Sequence, residues 1–264
     1  MTFFGIVLVL MLVPIQAYFA AQVSGLHAYV RPATNAEVPV ITQMTPEVLA
    51  ASIAPLPPNC HLANCIALTF DDGPNPETTA KILNVLRVQQ VPATFFVVGK
   101  RIHGNEALLQ RMQREGHEIG NHSWSHSDFA KLTPEQTRSE IDRTQAAIES
   151  AGVPAPRLFR PPYGSMSPAV KQELPLRIAL WNEDPRDWAA KDAPSVKAAL
   201  LASARPGGVI DAHDIYHVTA DALDSTITEL KARGYSFVTM SQMMAGEDPG
   251  PGQEFYGFAP PAQP

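Results

Sequence analysis

The chain has 264 residues, 45% hydrophobic and 17% charged, with a formal net charge of −6 and a pI of about 5.7. That composition supports one good-sized core, a domain of about 200 residues with tails. It carries no basic footprint, which argues against nucleic acid as a partner.

In chain order, residues 3–15, FFGIVLVLMLVPI, form an uninterrupted apolar run that fades by Ala21. The run is short for a membrane span and suits a signal-peptide core. No Lys or Arg precedes it and no clean A-x-A site follows, so an uncleaved membrane anchor and a core helix stay open beside that reading. Residues 1–24 are therefore read as signal peptide or membrane anchor. Either places the rest of the chain outside the cytoplasm, secreted or anchored through this segment. Residues 25–59, with Pro32, Pro39, Pro46, Pro55, Pro57 and Pro58, read as a linker carrying one short helix over 46–53. Cys60 and Cys65 in CHLANC suggest a small disulfide loop, with two free thiols as the alternative. Two thiols alone fall short of the four ligands of a structural zinc.

Residues 60–244 alternate short apolar runs with amphipathic segments. Strands are predicted at 66–70, 93–98, 117–120, 157–159, 177–181, 208–211 and 236–240. Helices are predicted at 76–90, 106–115, 134–150, 168–173, 194–204 and 220–233. The third helix opens with Thr133-Pro134-Glu135-Gln136, a capping box with Pro at the first helical position. This alternation argues an α/β fold with a parallel sheet, closed like a barrel, with a doubly wound open sheet as runner-up. Residues 245–264, rich in Pro and Gly, read as a disordered tail.

Polar residues follow the strands. Asp71-Asp72 ends the first, Asn121-His122-Ser123-Trp124-Ser125-His126 follows the third, and Arg160-Pro161-Pro162-Tyr163-Gly164 follows the fourth. Asp184-Pro185-Arg186-Asp187-Trp188 follows the fifth, and the sixth runs into Ala212-His213-Asp214. In a parallel barrel these ends share one rim, where such folds carry their chemistry. His122 and His126, four apart, share a face if they lie on a helical turn. Two imidazoles and one carboxylate make a three-ligand divalent-metal site with room for water. The second carboxylate is then free to accept a proton. Taken alone, the Asp pair reads as a turn and the His pair as surface residues; their place among the other motifs reverses this.

TFDDGP, HSWSH, RPPYG, DPRDW and VIDAHD, in that order, resemble the five motifs of the NodB-homology polysaccharide deacetylases, carbohydrate esterase family four. The resemblance covers roughly residues 65–245 and implies a distorted seven-stranded (β/α) barrel over 60–244. It implies Asp72, His122 and His126 as metal ligands and Asp71 as general base, kept ionised by Arg160. It implies the Tyr163 backbone N–H as oxyanion donor, Asp187 orienting the general acid His213, and Trp188 walling the acetyl pocket. Arg160 is expected to lower the Asp71 pKa and Asp187 to raise that of His213. The implied cofactor is a divalent metal, zinc first and cobalt second. The implied activity is hydrolysis of N-acetyl groups on a GlcNAc-type polysaccharide, peptidoglycan or chitin-like. Alternatives are an O-acetyl (xylan-type) esterase, a catalytically weak metal-dependent glycan-binding relative, and a hydrolase of non-sugar amides. Asp211 departs from the pattern: it stands where the family carries leucine, and a carboxylate there suits a methyl group poorly unless it is paired or turned away.

Overall fold

The structure, a computed structural model, describes residues 58–60, 63–247 and 249–258. The leader or anchor read over 1–24, the helix read over 46–53, and all but the last two residues of the linker lie outside the described residues.

The strands are β1 (Cys65–Asp71), β2 (Thr94–Val97), β3 (Glu118–Asn121), β4 (Leu158–Phe159), β5 (Arg177–Ala179), β6 (Gly208–His213) and β7 (Ser236–Val238). The helices are α1 (Thr78–Gln89), α2 (Glu106–Arg114), α3 (Pro134–Ser150), α4 (Pro168–Glu173), α5 (Ala193–Ser203), α6 (His217–Ala232) and the short α7 (Met240–Met243). Every expected strand and helix of residues 60–244 is present. The last strand stops at Val238, because Thr239 and Gln242 form a capping box that starts α7.

β1 is buried along its whole length, and its two faces serve two cores. Ile66, Leu68 and Phe70 pack against α1, α2 and α6 through Ile82, Leu83, Leu109, Met112, Leu223 and Ile227. Cys65 and Ala67 point the other way, into a cluster with Phe96, Leu158, Ala179, Val209 and Val238. A strand covered on both faces has no solvated side, which is why its sequence reads as a continuous apolar run. Thr69 and Asp71 continue the inner face, so the same alternation that fills the barrel delivers a carboxylate to its mouth.

The sheet runs β6-β1-β2-β3-β4-β5, all parallel, with β7 on the N-terminal half of β1. It curls until the segment after β5 meets β6: Glu183 N donates to Val209 O at 3.1 Å and Asp211 N to Glu183 O at 2.9 Å. The tail departs from expectation. Glu254–Phe255 forms an eighth strand, β8, parallel to β5. The free edge of β5 supplies the order: Ile178 N donates to Gln253 O at 2.9 Å and Leu180 N to Phe255 O at 2.8 Å. Phe255 is buried and stands edge-on to Phe258. Cys60 and Cys65 are joined as a disulfide, which ties residue 60 to the start of β1.

Candidate metal centre and catalytic rim

Two adjacent carboxylates leave β1 in different directions. Asp71 keeps the inner-face orientation, while Asp72 takes a left-handed φ of 76° before the cis Gly73–Pro74 bond. A Cβ on Gly73 would collide with the Asp214 carboxylate, so the turn requires glycine. Asp71 therefore faces Arg160, with Nη1 to Oδ1 at 2.8 Å. Asp72 faces the histidines, its Oδ1 at 3.1 Å from His126 Nε2 and 3.7 Å from His122 Nε2.

The histidines do not lie on a helical turn, the condition under which their spacing would put them on one face. Ser123 and His126 both take left-handed φ, 68° and 64°, which breaks helical periodicity. The loop is held instead by side chains. Asn121 Oδ1 accepts from Ser123 N at 2.8 Å, Ser123 Oγ from His126 N at 2.9 Å, and Glu140 of α3 from Ser125 N at 2.7 Å. The capping box at Thr133 and Gln136 fixes the start of α3, and so the place of Glu140.

Asp72, His122 and His126 offer ligand atoms that all lie within 4.8 Å of one another. The donor set fits a divalent cation. His122 Nδ1 is 2.7 Å from the Arg160 carbonyl oxygen and donates to it, which turns the lone pair of Nε2 toward the Asp71–Asp72 carboxylates. Burial lowers the His122 pKa to about 3 against the pull of Asp72, and burial lowers that of His126 as well. Neutral imidazoles beside a carboxylate are what such an ion requires.

Arg160 is fully buried, its guanidinium 4.1 Å from the Phe96 ring centroid. Nη1 alone meets Thr69 Oγ1 at 2.8 Å, Asp71 Oδ1 at 2.8 Å and Asp211 Oδ1 at 2.9 Å. Asp211 is thus paired, as its odd position demanded. The expected lowering of the Asp71 pKa is not what the geometry yields. Burial dominates and pushes it up to about 6, against the opposing charges of Arg160 and His213. Burial, with the nearby Asp71 charge, likewise holds Asp211 well above its usual range.

On the neighbouring strand β6, His213 pairs in register with Asp71. Its Nδ1 is 2.8 Å from Asp187 Oδ1, and its backbone N donates to Asp187 Oδ2 at 2.8 Å. Asp187 is fully buried and also accepts from Thr219 Oγ1 at 2.7 Å and Trp188 N at 2.9 Å. Burial opposes a charge on His213, but the hydrogen bond and charge of Asp187, with Asp211 and Asp71 behind, overcome it and raise the pKa to about 10. Imidazolium is the resting form.

Asp71, Asp72, His122, His126, Asp211 and His213 line one cavity of about 510 Å³, with Tyr163, Trp188, Trp181, Asp184 and Tyr216 around them and Arg160 and Asp187 buried behind. Tyr163, at φ 61°, and Trp188 are exposed, on opposite motifs of the rim. The structure thus brings together all the predicted site residues of the five motifs. Sequence reading missed three contributors. Trp181 lines the cavity, Tyr216 stands edge-on to His213 at 5.7 Å, and Thr219 holds Asp187 from α6. No local pattern marks them, because each acts through a neighbour distant in sequence. Trp124, between the two histidines, carries the Arg143 guanidinium over its ring at 4.2 Å.

The family model described as polysaccharide deacetylase matches residues 59–176. The chain is 42% identical over 178 residues to the peptidoglycan-N-acetylmuramic acid deacetylase PdaC of Bacillus subtilis, covering 67% of this chain and 38% of PdaC. The chain thus spans well under half the length of that curated relative. It is 36% identical to a chitooligosaccharide deacetylase of Bradyrhizobium, covering 67% of this chain and 90% of that protein. Among solved structures, it is 38% identical to a family 4 acetyl xylan esterase from Clostridium thermocellum in complex with a cobalt ion. That match has a TM-score of 0.69 and covers 73% of this chain and 98% of the esterase.

Proposed function

Because the chain belongs to the polysaccharide deacetylase family, we propose that it is a metal-dependent hydrolase that removes N-acetyl groups from a GlcNAc-type glycan, peptidoglycan or chitin-like, outside the cytoplasm. The observation that carries this reading is the convergence of Asp72, His122 and His126 beside Asp71, with His213 next to Asp71 on the adjacent strand. Asp72, His122 and His126 would hold zinc, or cobalt as in the esterase relative. When bound, the cation supplies Lewis acidity, bringing the pKa of water toward about 7 and favouring negative charge on a carbonyl oxygen.

Asp71 takes the proton of the attacking water. Its Oδ2 is 3.5 Å from His122 Nε2, at the edge of the ligand triangle, while Oδ1 is held by Arg160. A base with a pKa near the working pH suits that task, and a cation at Asp72 would draw the value of about 6 downward. His213, charged and oriented by Asp187, gives a proton to the leaving nitrogen. The Tyr163 N–H would serve the developing oxyanion, and Trp188, which lines the cavity beside Asp187, would wall the acyl group. The exposed rings of Tyr163 and Trp188 offer apolar faces to sugar rings.

An O-acetyl activity at the same site has support from the acetyl xylan esterase likeness. Acetate release from N-acetylglucosamine oligomers and from acetylated xylan, with and without chelator, tests both. Turnover of the amide that stops with chelator and returns with zinc or cobalt supports the reading. Turnover of the ester alone would reassign the substrate, and glycan binding without acetate would make the chain a binding relative.

A further inference from the structure

The inner face of β6 carries Val209, Asp211 and His213, and the register sets Asp211 beside Thr69 and His213 beside Asp71. Asp71 and His213 therefore stand side by side at the mouth, and Asp211 with Thr69 forms the layer beneath. An amide whose nitrogen meets His213 and whose carbon is attacked from the Asp71 side has one substituent left, the acyl chain. The glycan on the nitrogen fills the mouth, so that chain is directed at the floor. There it meets Asp211, which lines the cavity together with Trp181. Asp211 is 5% exposed. Its Oδ1 accepts from Arg160, and among the described residues no hydrogen bond reaches Oδ2.

We propose that Asp211 makes the acyl pocket select a 2-hydroxyacyl group, hydroxyacetyl foremost, over acetyl, so that the chain hydrolyses N-(hydroxyacetyl) amino sugars. The inference rests on the N-deacylase reading and specifies its acyl group. A methyl group set against this cavity-facing carboxyl oxygen desolvates it and returns no hydrogen bond. One hydroxyl on that methyl supplies the missing partner. A hydroxyl both donates and accepts, so it matches Asp211 whether ionised or protonated. Sites that bond a substrate hydroxyl discriminate against the analogue that lacks it. The reaction balances with water as the sole co-reactant. Water's oxygen bonds to the acyl carbon and one water proton leaves through Asp71. The C–N bond breaks with its electron pair on nitrogen, and nitrogen takes a proton from His213. The products are 2-hydroxyacetate and the free amine.

The zinc-loaded full chain, with D211L and D211N, is assayed on glucosamine oligomers bearing N-acetyl or N-hydroxyacetyl groups. Binding of acetate and 2-hydroxyacetate to each protein is measured in parallel by calorimetry. The expected kcat/KM ratio, hydroxyacetyl over acetyl, is about tenfold in the parent chain. It falls to about one or below in D211L, which keeps the branching of the side chain but not its oxygens. It survives in D211N, which keeps an acceptor for Arg160. The product acids follow the same order, and loss of that order in D211L separates Asp211 from chelation of the ion by a hydroxy acid. A ratio near one in the parent chain, or an equal ratio in D211L, overturns the assignment of Asp211 and leaves the deacetylase reading standing. No hydrolysis of either amide overturns both. Should D211L not fold, the ratio in the parent chain and the order of product binding decide alone.

Discussion

Asp187→Asn removes one negative charge from beside His213 while leaving an oxygen in place. In the native site Oδ1 meets His213 Nδ1 and Trp188 N, and Oδ2 meets His213 N and Thr219 Oγ1. All four neighbours donate, so an amide must aim its NH₂ at donors whichever way it is turned. The span from 6.5 to about 10 in the His213 pKa corresponds to about 5 kcal/mol between its two protonation states. Asp187 contributes to it both by hydrogen bond and by charge, ahead of Asp211 and Asp71. Without it, burial pulls the imidazole toward its neutral form. The kcat/KM–pH profile of the zinc-loaded enzyme, with an NMR titration of His213, reads this out. The alkaline limb, near pH 10 in the parent chain, should move to pH 7 or below. Turnover at pH 8 should fall about 10²–10⁴-fold, the usual contribution of a placed general acid. Stability should follow with a definite sign. A histidine pKa raised by folding stabilises fully below 6.5 and loses that contribution as pH rises through about 10. The stability gap between parent and variant should therefore be wide at pH 6 and narrow above pH 10. An alkaline limb that stays in place would refute the role given to Asp187.

Asp71→Asn should retain the cation yet lose about 10²–10⁴-fold in turnover, whereas Asp72→Ala should lose both; zinc content and acetate release separate the two. Cys60→Ser should lower stability by about 2 kcal/mol, the chain-entropy value for so short a loop; thermal melting compared with and without reductant checks it. His117 is buried beside β3, and burial lowers its pKa to about 4. A histidine held neutral stabilises above pH 6.5 and loses that contribution as pH falls through about 4, about 3 kcal/mol in all. His117→Gln should flatten the acid limb of stability between pH 7 and 4 in denaturant titrations. An unchanged slope would show that another group governs it.

The framework was legible because strands such as β1 and β2 are buried on both faces. Such strands write unbroken apolar runs into the sequence, and the capping box at Thr133 marks a helix start by side-chain chemistry alone. The motif residues were legible from their place at strand ends. What escaped depends on neighbours distant in the chain. β8 is two residues among Gly and Pro, and only the unpaired edge of β5 makes it a strand. The i, i+4 histidines converge through two left-handed residues and Glu140 of α3, not through the helical turn on which their spacing would put them on one face. The net direction of the Asp71 pKa turns on burial, which outweighs a guanidinium that sequence can foresee. The sharing of Arg160 by Asp71 and Asp211 follows from the β1–β6 register.

The central claim is a cation bound by Asp72, His122 and His126, with Asp71 outside its ligand set. Calorimetric titration of zinc into the chelator-stripped chain tests it most directly. One ion per chain is predicted, lost in Asp72→Ala and in His122→Ala and retained in Asp71→Asn. Absence of saturable binding, or binding that survives removal of Asp72 or His122, would contradict it.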